Sequence, residues 1–238
     1  METLQVEAQR FFGNTANRGH ADRTVWSQPL EQITGGLRSG REIAEQALGL
    51  VAGSGLSALD VGCSYGPIVF GLAASERVAE VVGLDVEDAA LALGRAIAGS
   101  DLVGSAEGAK CQFVSGQSEQ MPFPPDTFDL IVCNTVIEHV YDVEATLRDM
   151  MRVLKPGGVL YLCAPNYLWP YEPHLKIWMP PLGPKGVAKL VARCAPGRDP
   201  RFIDHLNFVS ATGMERLFRK QGLVYRNLYL DKLARILV

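Results

Sequence analysis

Leu59-Asp60-Val61-Gly62-Cys63-Ser64-Tyr65-Gly66, continued by Pro67-Ile68-Val69-Phe70, decides how the rest of this chain is read. A short apolar run over Ser57–Gly62 stops at glycines, and a second apolar run starts directly after Pro67. That order predicts a strand, a tight turn, and a helix over Pro67–Ser75 with proline in its first turn, where the missing N–H costs nothing. The same alternation repeats outward. Ala79–Leu84 is an apolar strand ended by Asp85, and the alanine-rich stretch Glu87–Ala98 is helical. Strand-like runs recur at Cys111–Ser115, Phe128–Cys133 and Val159–Ala164. Between the last two, Val143–Leu154 carries Leu147, Met150, Met151 and Leu154 on one helical face, a stripe that reads as core packing.

Strands alternating with helices predict βαβ units and a parallel sheet. The runs LIVC and VLYLC, apolar throughout, fit strands covered on both faces. On the amino-terminal side, apolar positions from Pro29 to Val51 recur at helical spacing but are interrupted by Gly35-Gly36, which predicts one broken helix or two consecutive ones. Residues 1–28 show an aromatic step at Phe11, Phe12 and Trp26 and no clear period. After Pro165 the alternation breaks. Eight prolines crowd the stretch Pro165–Pro200 together with Tyr167, Trp169, Tyr171, His174 and Trp178. So long a loop is a lid or binding element, and its aromatic content argues against disorder. The pattern resumes with a helix over Ser210–Gln221, capped by Ser210 and stopped by Gly222. Leu223–Leu230 then reads as a strand and Ala234–Val238 as a short final one.

A length of 238 residues suits a single α/β domain. Its expected parts are a helical cover over 1–55, a core over 56–166, an insertion over 167–208, and a closing helix and strands over 209–238. A net charge of −3 argues against general affinity for nucleic acid. The amino terminus lacks the basic and apolar regions of a secretory signal, and no stretch approaches a spanning helix. The expectation is therefore a soluble cytoplasmic protein. Five cysteines are scattered without a CxxC pair or a Cys/His cluster, so no metal site is expected. Cys63, Cys111, Cys133 and Cys163 lie in or beside predicted strands, the usual setting of buried thiols.

In open α/β sheets, ligands bind beyond the carboxyl ends of the strands. The first end carries Asp60, Gly62, Cys63, Ser64 and Gly66, and the second carries Asp85, an acid suited to ribose hydroxyls. The third brings Gly116-Gln117-Ser118-Glu119, and the fourth Asn134-Thr135 and then Glu138-His139. A glycine turn plus an acid is also the mark of dinucleotide dehydrogenases. Here, however, Gly62-x-x-x-Gly66 replaces GxGxxG, and Asp60 crowds the turn where a pyrophosphate would need to sit. The same acid suits a ligand with a cationic amino group.

ALDVGCSYG, VVGLDVED, SEQMPF, FDLIVCNTVIEHV and LKPGGVLYL resemble, in order and spacing, the motifs of small class I S-adenosylmethionine (SAM)-dependent methyltransferases of the type that modify quinones, sugars and secondary metabolites. The match spans roughly Leu56 to Asn166, with a weaker echo in HLNFVSATGMERLFRKQGL. The resemblance implies a Rossmann-like, doubly wound, mostly parallel seven-stranded sheet with amino-terminal helices and a lid after strand five. It also implies SAM as methyl donor, leaving as S-adenosylhomocysteine, with Asp60 at its methionine end and the backbone of Gly62, Cys63, Ser64 and Gly66 around it. Asp85 would hold the ribose, and Val86 would pack on the adenine. Gln117 and Ser118 would border the adenine edge, and Asn134 and Thr135 would flank the sulfonium. Ser64 stands where glycine is more usual, a change tolerated if that backbone needs no positive φ. Gln117 replaces a common aspartate.

The acceptor is less legible. A small molecule attacked at oxygen is the first expectation, and an amine the alternative. His139, His174 and His205 are candidate bases, each equally readable as a residue that braces a loop; His20 reads as a surface residue. Trp169, Tyr171 and Trp178 are the candidate acceptor contacts. Lys176–Arg201 holds six basic residues and one acid, and Val187, Leu190, Val191 and Cys194 share a helical face. That reads as an amphipathic helix packed on the domain, or as a segment admitting an anionic or lipid-linked acceptor at a membrane surface. Three rivals stand against the methyltransferase reading. A nicotinamide dehydrogenase lacks its fingerprint here, and a non-catalytic scaffold would not need Asp60, Gly62, Gly66 and Asp85. A nucleic-acid methyltransferase is disfavoured by the charge balance and by the absence of an Asn-Pro-Pro-Tyr type motif.

Overall fold

The computed structural model describes residues 2–15, 29–181 and 183–230. At its centre is a parallel sheet of five strands in the order β3-β2-β1-β4-β5. The strands are β1 (Leu56–Val61), β2 (Val78–Asp85), β3 (Cys111–Ser115), β4 (Phe128–Asn134) and β5 (Leu154–Cys163). From β1 the chain moves outward through β2 to β3 and then returns to the other side of β1 as β4. The crevice beyond β1 and β4 is therefore the switch point where a ligand site is expected.

Alternate residues of these strands feed two cores. Ala58, Val81, Leu130 and Val132 pack under α1 (Glu2–Thr15), α2 (Pro29–Leu48), α3 (Pro67–Ala73) and α4 (Asp88–Ala98). Leu59, Val61, Ile131 and Cys133 pack under α6 (Val143–Val153) and α8 (Ala211–Lys220). The short α5 (Ser105–Ala109) precedes β3. Asp142 caps α6 by accepting hydrogen bonds from the N–H groups of Glu144 and Ala145 at 2.9 and 3.0 Å.

Several expectations need correction. The Gly35-Gly36 pair does not break the amino-terminal helix, and α2 runs through it. Glycine is needed at this point for contact: a Cβ on Gly36 would lie 2.0 Å from the Tyr65 hydroxyl, and one on Gly40 would lie 2.1 Å from the Pro67 carbonyl oxygen. The first residues are not irregular either. Leu4, Ala8, Phe11 and Phe12 are buried on one face of α1, a helical spacing short enough to escape notice among polar neighbours. Trp26 and His20 lie outside the described residues, as does the segment Ala234–Val238.

Of the expected seven-stranded sheet, the described residues show the five strands above, with a separate two-stranded ribbon. Helix α8 ends as foreseen: Ser210 accepts from the Gly213 N–H at 3.1 Å, and Gly222 takes φ +70°. The N–H groups of Gly222 and Leu223 close on the carbonyls of Arg219 and Phe218, which satisfies the last turn. Leu223–Leu230, however, is not a strand. Asn227 accepts from the N–H groups of Tyr229 and Leu230 at 3.1 and 3.3 Å, and this cap turns residues 228–230 helical. Cys163 is exposed at the end of β5 rather than buried.

The insertion between β5 and α8 holds the antiparallel ribbon β6 (Tyr171–Glu172) and β7 (Ile177–Trp178), helix α7 (Lys185–Cys194) and a 3-10 helix over Pro200–His205. Tyr167, Leu175, Ile177, Met179, Ala188, Ala192, Ile203 and Leu206 give it a small core of its own. Helix α7 packs through Ala188 and Ala192, so the larger Val187, Leu190 and Cys194 are exposed, contrary to the face expected from the sequence. Lys189 pairs with Asp204, and Lys185 donates to the Asp204 carbonyl oxygen at 3.1 Å, which fixes α7 to the 3-10 helix.

Candidate functional site

The turn after β1 is built from unusual backbone. Gly62 and Gly66 take φ of +71° and +87°, and Ser64 between them takes +51°. The condition on which serine was to be tolerated here, a backbone without positive φ, is therefore not met, and the left-handed conformation costs about 1 kcal/mol for a residue with a Cβ. Its N–H donates to Asp85 Oδ2 at 2.7 Å, a charge-assisted bond that offsets the strain and joins this turn to the end of β2. Asp85 Oδ1 accepts from the Glu87 N–H at 2.9 Å. Each carboxylate oxygen accepts through more than one lone pair, so both keep capacity for a ligand hydroxyl. Beside it, Val86 is 68% exposed, an apolar side chain held in the open at the mouth of the crevice.

Asp60 is 2% exposed, and its Oδ2 has no hydrogen-bond partner. Burial first, and then the Asp85 carboxylate, push its carboxyl well above the usual carboxylate range. A buried acid in this state lacks a cation or donor. Gly62 next to it leaves a cradle that a side chain would fill, since a Cβ there would lie 2.4 Å from Val136 Cγ2. The first and fourth strand ends thus touch through Gly62 and Val136. These features fit SAM: an orphaned acid for its amino group, bare backbone for its methionine arm, an acid for its ribose and an exposed valine for its adenine. Cys63, by contrast, is buried, and burial followed by the Asp60 carboxylate pushes its thiol far up.

The third and fourth ends are held more by structure than by free chemistry. Gln117 is exposed, whereas Ser118 shares a hydrogen bond with the buried Thr146 at 3.2 Å. Glu119 accepts from the N–H groups of Tyr141 and Asp142 at 2.8 and 3.3 Å, pinning the loop after β4. Thr135 takes φ +55°, and its hydroxyl donates to the Asn134 carbonyl oxygen at 2.7 Å. The SEQMPF segment is locked beneath α6: Met121 N–H donates to Asp149 at 2.6 Å, and Arg152 bridges Asp149 and the Phe123 carbonyl oxygen, each at 2.7 Å.

Beyond Val136 the fold assembles a second group that sequence spacing kept apart. His139 Nε2 lies 3.3 Å from His174 Nε2, although 35 residues separate them. The insertion brings His174 there because Asn207 docks it on the loop after β4, its N–H donating to the Glu138 carbonyl oxygen at 2.6 Å and its amide to that of Val140 at 2.6 Å. Glu172 Oε1 sits 2.5 Å from His174 Nδ1, and Glu172 Oε2 accepts from the Leu175 N–H at 2.6 Å. Burial opposes the charge on Glu172, but the His174 ring and the backbone N–H groups of Leu175 and His174 outweigh it and hold its carboxyl below the usual range. Burial, reinforced by His174, pushes His139 down to about 4, so its imidazole is neutral at pH 7. Glu138 is fully buried beside both rings, neither of its oxygens has a hydrogen-bond partner, and burial pushes it up.

His205 stands exposed at the end of the 3-10 helix, near enough to disfavour a charge on His139 but outside the hydrogen-bonded group. The three candidate acceptor contacts are not in this group either. Tyr171 and Trp178 pair edge-to-face at 5.4 Å on one face of the ribbon, while Glu172 and Ile177 occupy the opposite, buried face. Trp169 and Trp178 are 65% and 66% exposed. Sequence reasoning gave no role to Glu138 and Glu172. Their one signal was adjacency, each within two residues of a candidate histidine, and only the fold shows that one is orphaned and the other orients a ring.

A family model for the methyltransferase domain matches residues 59–162. The chain is 37% identical over 108 residues to a demethylmenaquinone methyltransferase of Shouchella clausii, covering 44% of this chain and 43% of that protein. It is 33% identical over 140 residues to a ubiquinone biosynthesis O-methyltransferase of Aliivibrio fischeri, covering 58% and 54%. The matches thus span about half the length of these relatives. Among solved structures, YcgJ of Bacillus subtilis superposes with a TM-score of 0.56 at 23% identity, over 81% of this chain and 70% of that one. A chain from the complex of the Haloferax volcanii Trm112 methyltransferase activator with its putative methyltransferase gives 0.57 at 22%, over 82% and 74%. At these identities the structural likeness speaks for the fold.

Proposed function

We propose that the chain is a class I methyltransferase that binds SAM at the β1–β2–β4 strand ends and methylates a small-molecule hydroxyl beside the histidine pair. The observation that carries this reading is Asp60: a buried acid with an orphaned oxygen at the switch point of the sheet, beside a glycine cradle. SAM supplies a methyl group already activated by its sulfonium. The tasks left to the protein are to align the acceptor, exclude water and manage one proton.

Asp60 and the turn Gly62–Gly66 hold the methionine arm, Asp85 the ribose hydroxyls, and Val86 the adenine face. Gln117, Ser118, Asn134 and Thr135 complete the rim of that pocket. The acceptor oxygen is placed by the loop after β4 and by the insertion that docks on it through Asn207. Of the three histidines, His174 is the best supported base: Glu172 fixes its Nδ1–H, so Nε2 keeps a lone pair for the acceptor proton. Relatives whose names denote O-methyl transfer in ubiquinone biosynthesis support oxygen as the atom attacked. An uncharged amine needs no base while it attacks, so the imidazole group favours oxygen over nitrogen. The exposed Val187 and Leu190 beside the basic residues of α7, together with the exposed Trp169 and Trp178 elsewhere in the insertion, support an anionic or lipid-linked acceptor delivered from a membrane surface. Among the described residues no helix is long and apolar enough to cross a membrane.

The test is an S-adenosylhomocysteine release assay against a panel of hydroxylated rings with and without apolar tails. Turnover on a hydroxyl acceptor, lost with His174→Ala, is the expected result. Turnover confined to amines would overturn the O-methyl reading.

A further inference from the structure

We infer that Glu138, His139 and His174 form a binding site for one divalent transition-metal cation of the zinc type. The sequence gives no expectation of a metal, because its cysteines are scattered without a CxxC pair or a Cys/His cluster. The fold supplies a different donor set. The ligand atoms of the three residues lie within 4.8 Å of one another: the two Nε2 atoms are 3.3 Å apart, and Glu138 Oε1 is 4.0 Å from His139 Nε2 and 3.8 Å from His174 Nε2.

Three observations point to a cation rather than to a hydrogen-bonded cluster. First, Glu138 is 0% exposed and neither oxygen has a hydrogen-bond partner, so it is a fully buried acid aimed at two imidazoles with nothing to neutralise it. Leaving such a group unpartnered costs several kcal/mol, roughly, and a divalent ion removes that cost. Second, Glu172 accepts from His174 Nδ1, from the His174 and Leu175 N–H groups, and from the Tyr167 hydroxyl at 3.4 Å. A carboxylate behind a histidine, fixing Nδ1–H and leaving Nε2 bare, is the support that metal-ligating histidines ordinarily carry. Third, the spacing suits the ion. Bonds of about 2.0–2.1 Å set a tetrahedral edge of roughly 3.4 Å, which the two nitrogens already meet, and Glu138 needs to approach by only about 0.5 Å.

Two imidazoles and one carboxylate favour zinc, cobalt or ferrous iron over magnesium or calcium, which prefer oxygen. Three protein ligands leave one coordination position for water or an acceptor oxygen. That last role rests on the methyl-transfer reading, whereas cation binding does not; an ion held here takes up the His174 Nε2 lone pair, so His174 serves as base only in the metal-free chain.

The experiment uses the full chain stripped with a chelator and titrated with zinc by calorimetry and with cobalt by visible absorption, both without SAM. One zinc per chain is expected, with cobalt bands of a four- or five-coordinate nitrogen–oxygen site. His139→Gln and His174→Gln should each weaken binding at least tenfold, and Glu172→Gln, which removes only the support, by about tenfold to a hundredfold. His139 is partly exposed, so its variant keeps the test alive if changing buried Glu138 prevents folding. Absence of stoichiometric binding, unchanged affinity in both histidine variants, or a thiolate charge-transfer band placing the ion on the exposed Cys163 or Cys194 overturns the site. S-adenosylhomocysteine binding by the same metal-free preparation reads the methyltransferase proposal separately.

Discussion

Asp85 Oδ2 accepts a 2.7 Å hydrogen bond from the backbone nitrogen of Ser64, and this bond ties the strained turn after β1 to the end of β2. One carboxylate thus shapes the turn that would wrap the methionine arm while offering free lone pairs to a ribose. The two functions make it the most sensitive position in the proposed cofactor site. Asp85→Ala should weaken S-adenosylhomocysteine binding about a hundredfold by calorimetry, from the loss of two charge-assisted hydrogen bonds at roughly 1.5 kcal/mol or more each. Unchanged affinity would sink the ribose assignment.

Asp60 predicts a conflict between stability and binding. Burial and the Asp85 carboxylate hold its carboxyl above the unfolded value of about 3.9, so the folded chain binds the proton more tightly than the unfolded chain does. Stability is then lost as pH rises from about 4 through the raised folded value, because the unfolded state ionises more readily. Asp60→Asn removes this slope. At pH 7 the ligand-free variant should melt above the wild type, with the gap closing towards pH 4, while its affinity for S-adenosylhomocysteine falls at least tenfold. A variant less stable than wild type at pH 7 contradicts the uncompensated acid.

Gly62 is required twice over, for its φ of +71° and because a Cβ would lie 2.4 Å from Val136 Cγ2. Gly62→Ala should destabilise the chain by about 2–4 kcal/mol, seen as a fall in Tm of very roughly 5–15 °C, from left-handed strain plus overpacking. Val136→Ala in the same chain should recover the packing part alone. Full recovery would show that the backbone strain is absent.

His174 should separate chemistry from cofactor affinity. His174→Ala is expected to lower kcat by about 10²- to 10⁴-fold on a hydroxyl acceptor while S-adenosylhomocysteine affinity stays within twofold, and His205→Ala should leave both near wild type. If His139, His174 and His205 can each be replaced with little loss of turnover, no histidine is the base.

The parallel core was legible because its signals are local. The glycine turn falls within a few residues of Asp60, an acid closes each of two strands at Asp60 and Asp85, and the apolar runs Leu130–Cys133 and Val159–Cys163 are each continuous in the chain. What escaped needed tertiary contact. Gly36 looks like part of a helix break until Tyr65 is seen pressed against it. Leu223–Leu230 looks like a strand until Asn227 is seen capping the next turn. Glu138 and Glu172 are ordinary acids in the sequence, and only the docking of the insertion through Asn207 turns them into an orphaned carboxylate and a ring-orienting one. On α7 the small Ala188 and Ala192 face inward, where a reading by hydrophobicity selects Leu190.

The most direct test is a calorimetric titration of the purified chain with S-adenosylhomocysteine, run beside NAD as the rival ligand. Saturable one-to-one binding of S-adenosylhomocysteine, abolished by Asp60→Asn combined with Asp85→Ala, is the predicted result. Binding of NAD with no S-adenosylhomocysteine signal, or an affinity for the latter that the double variant leaves intact, would contradict it.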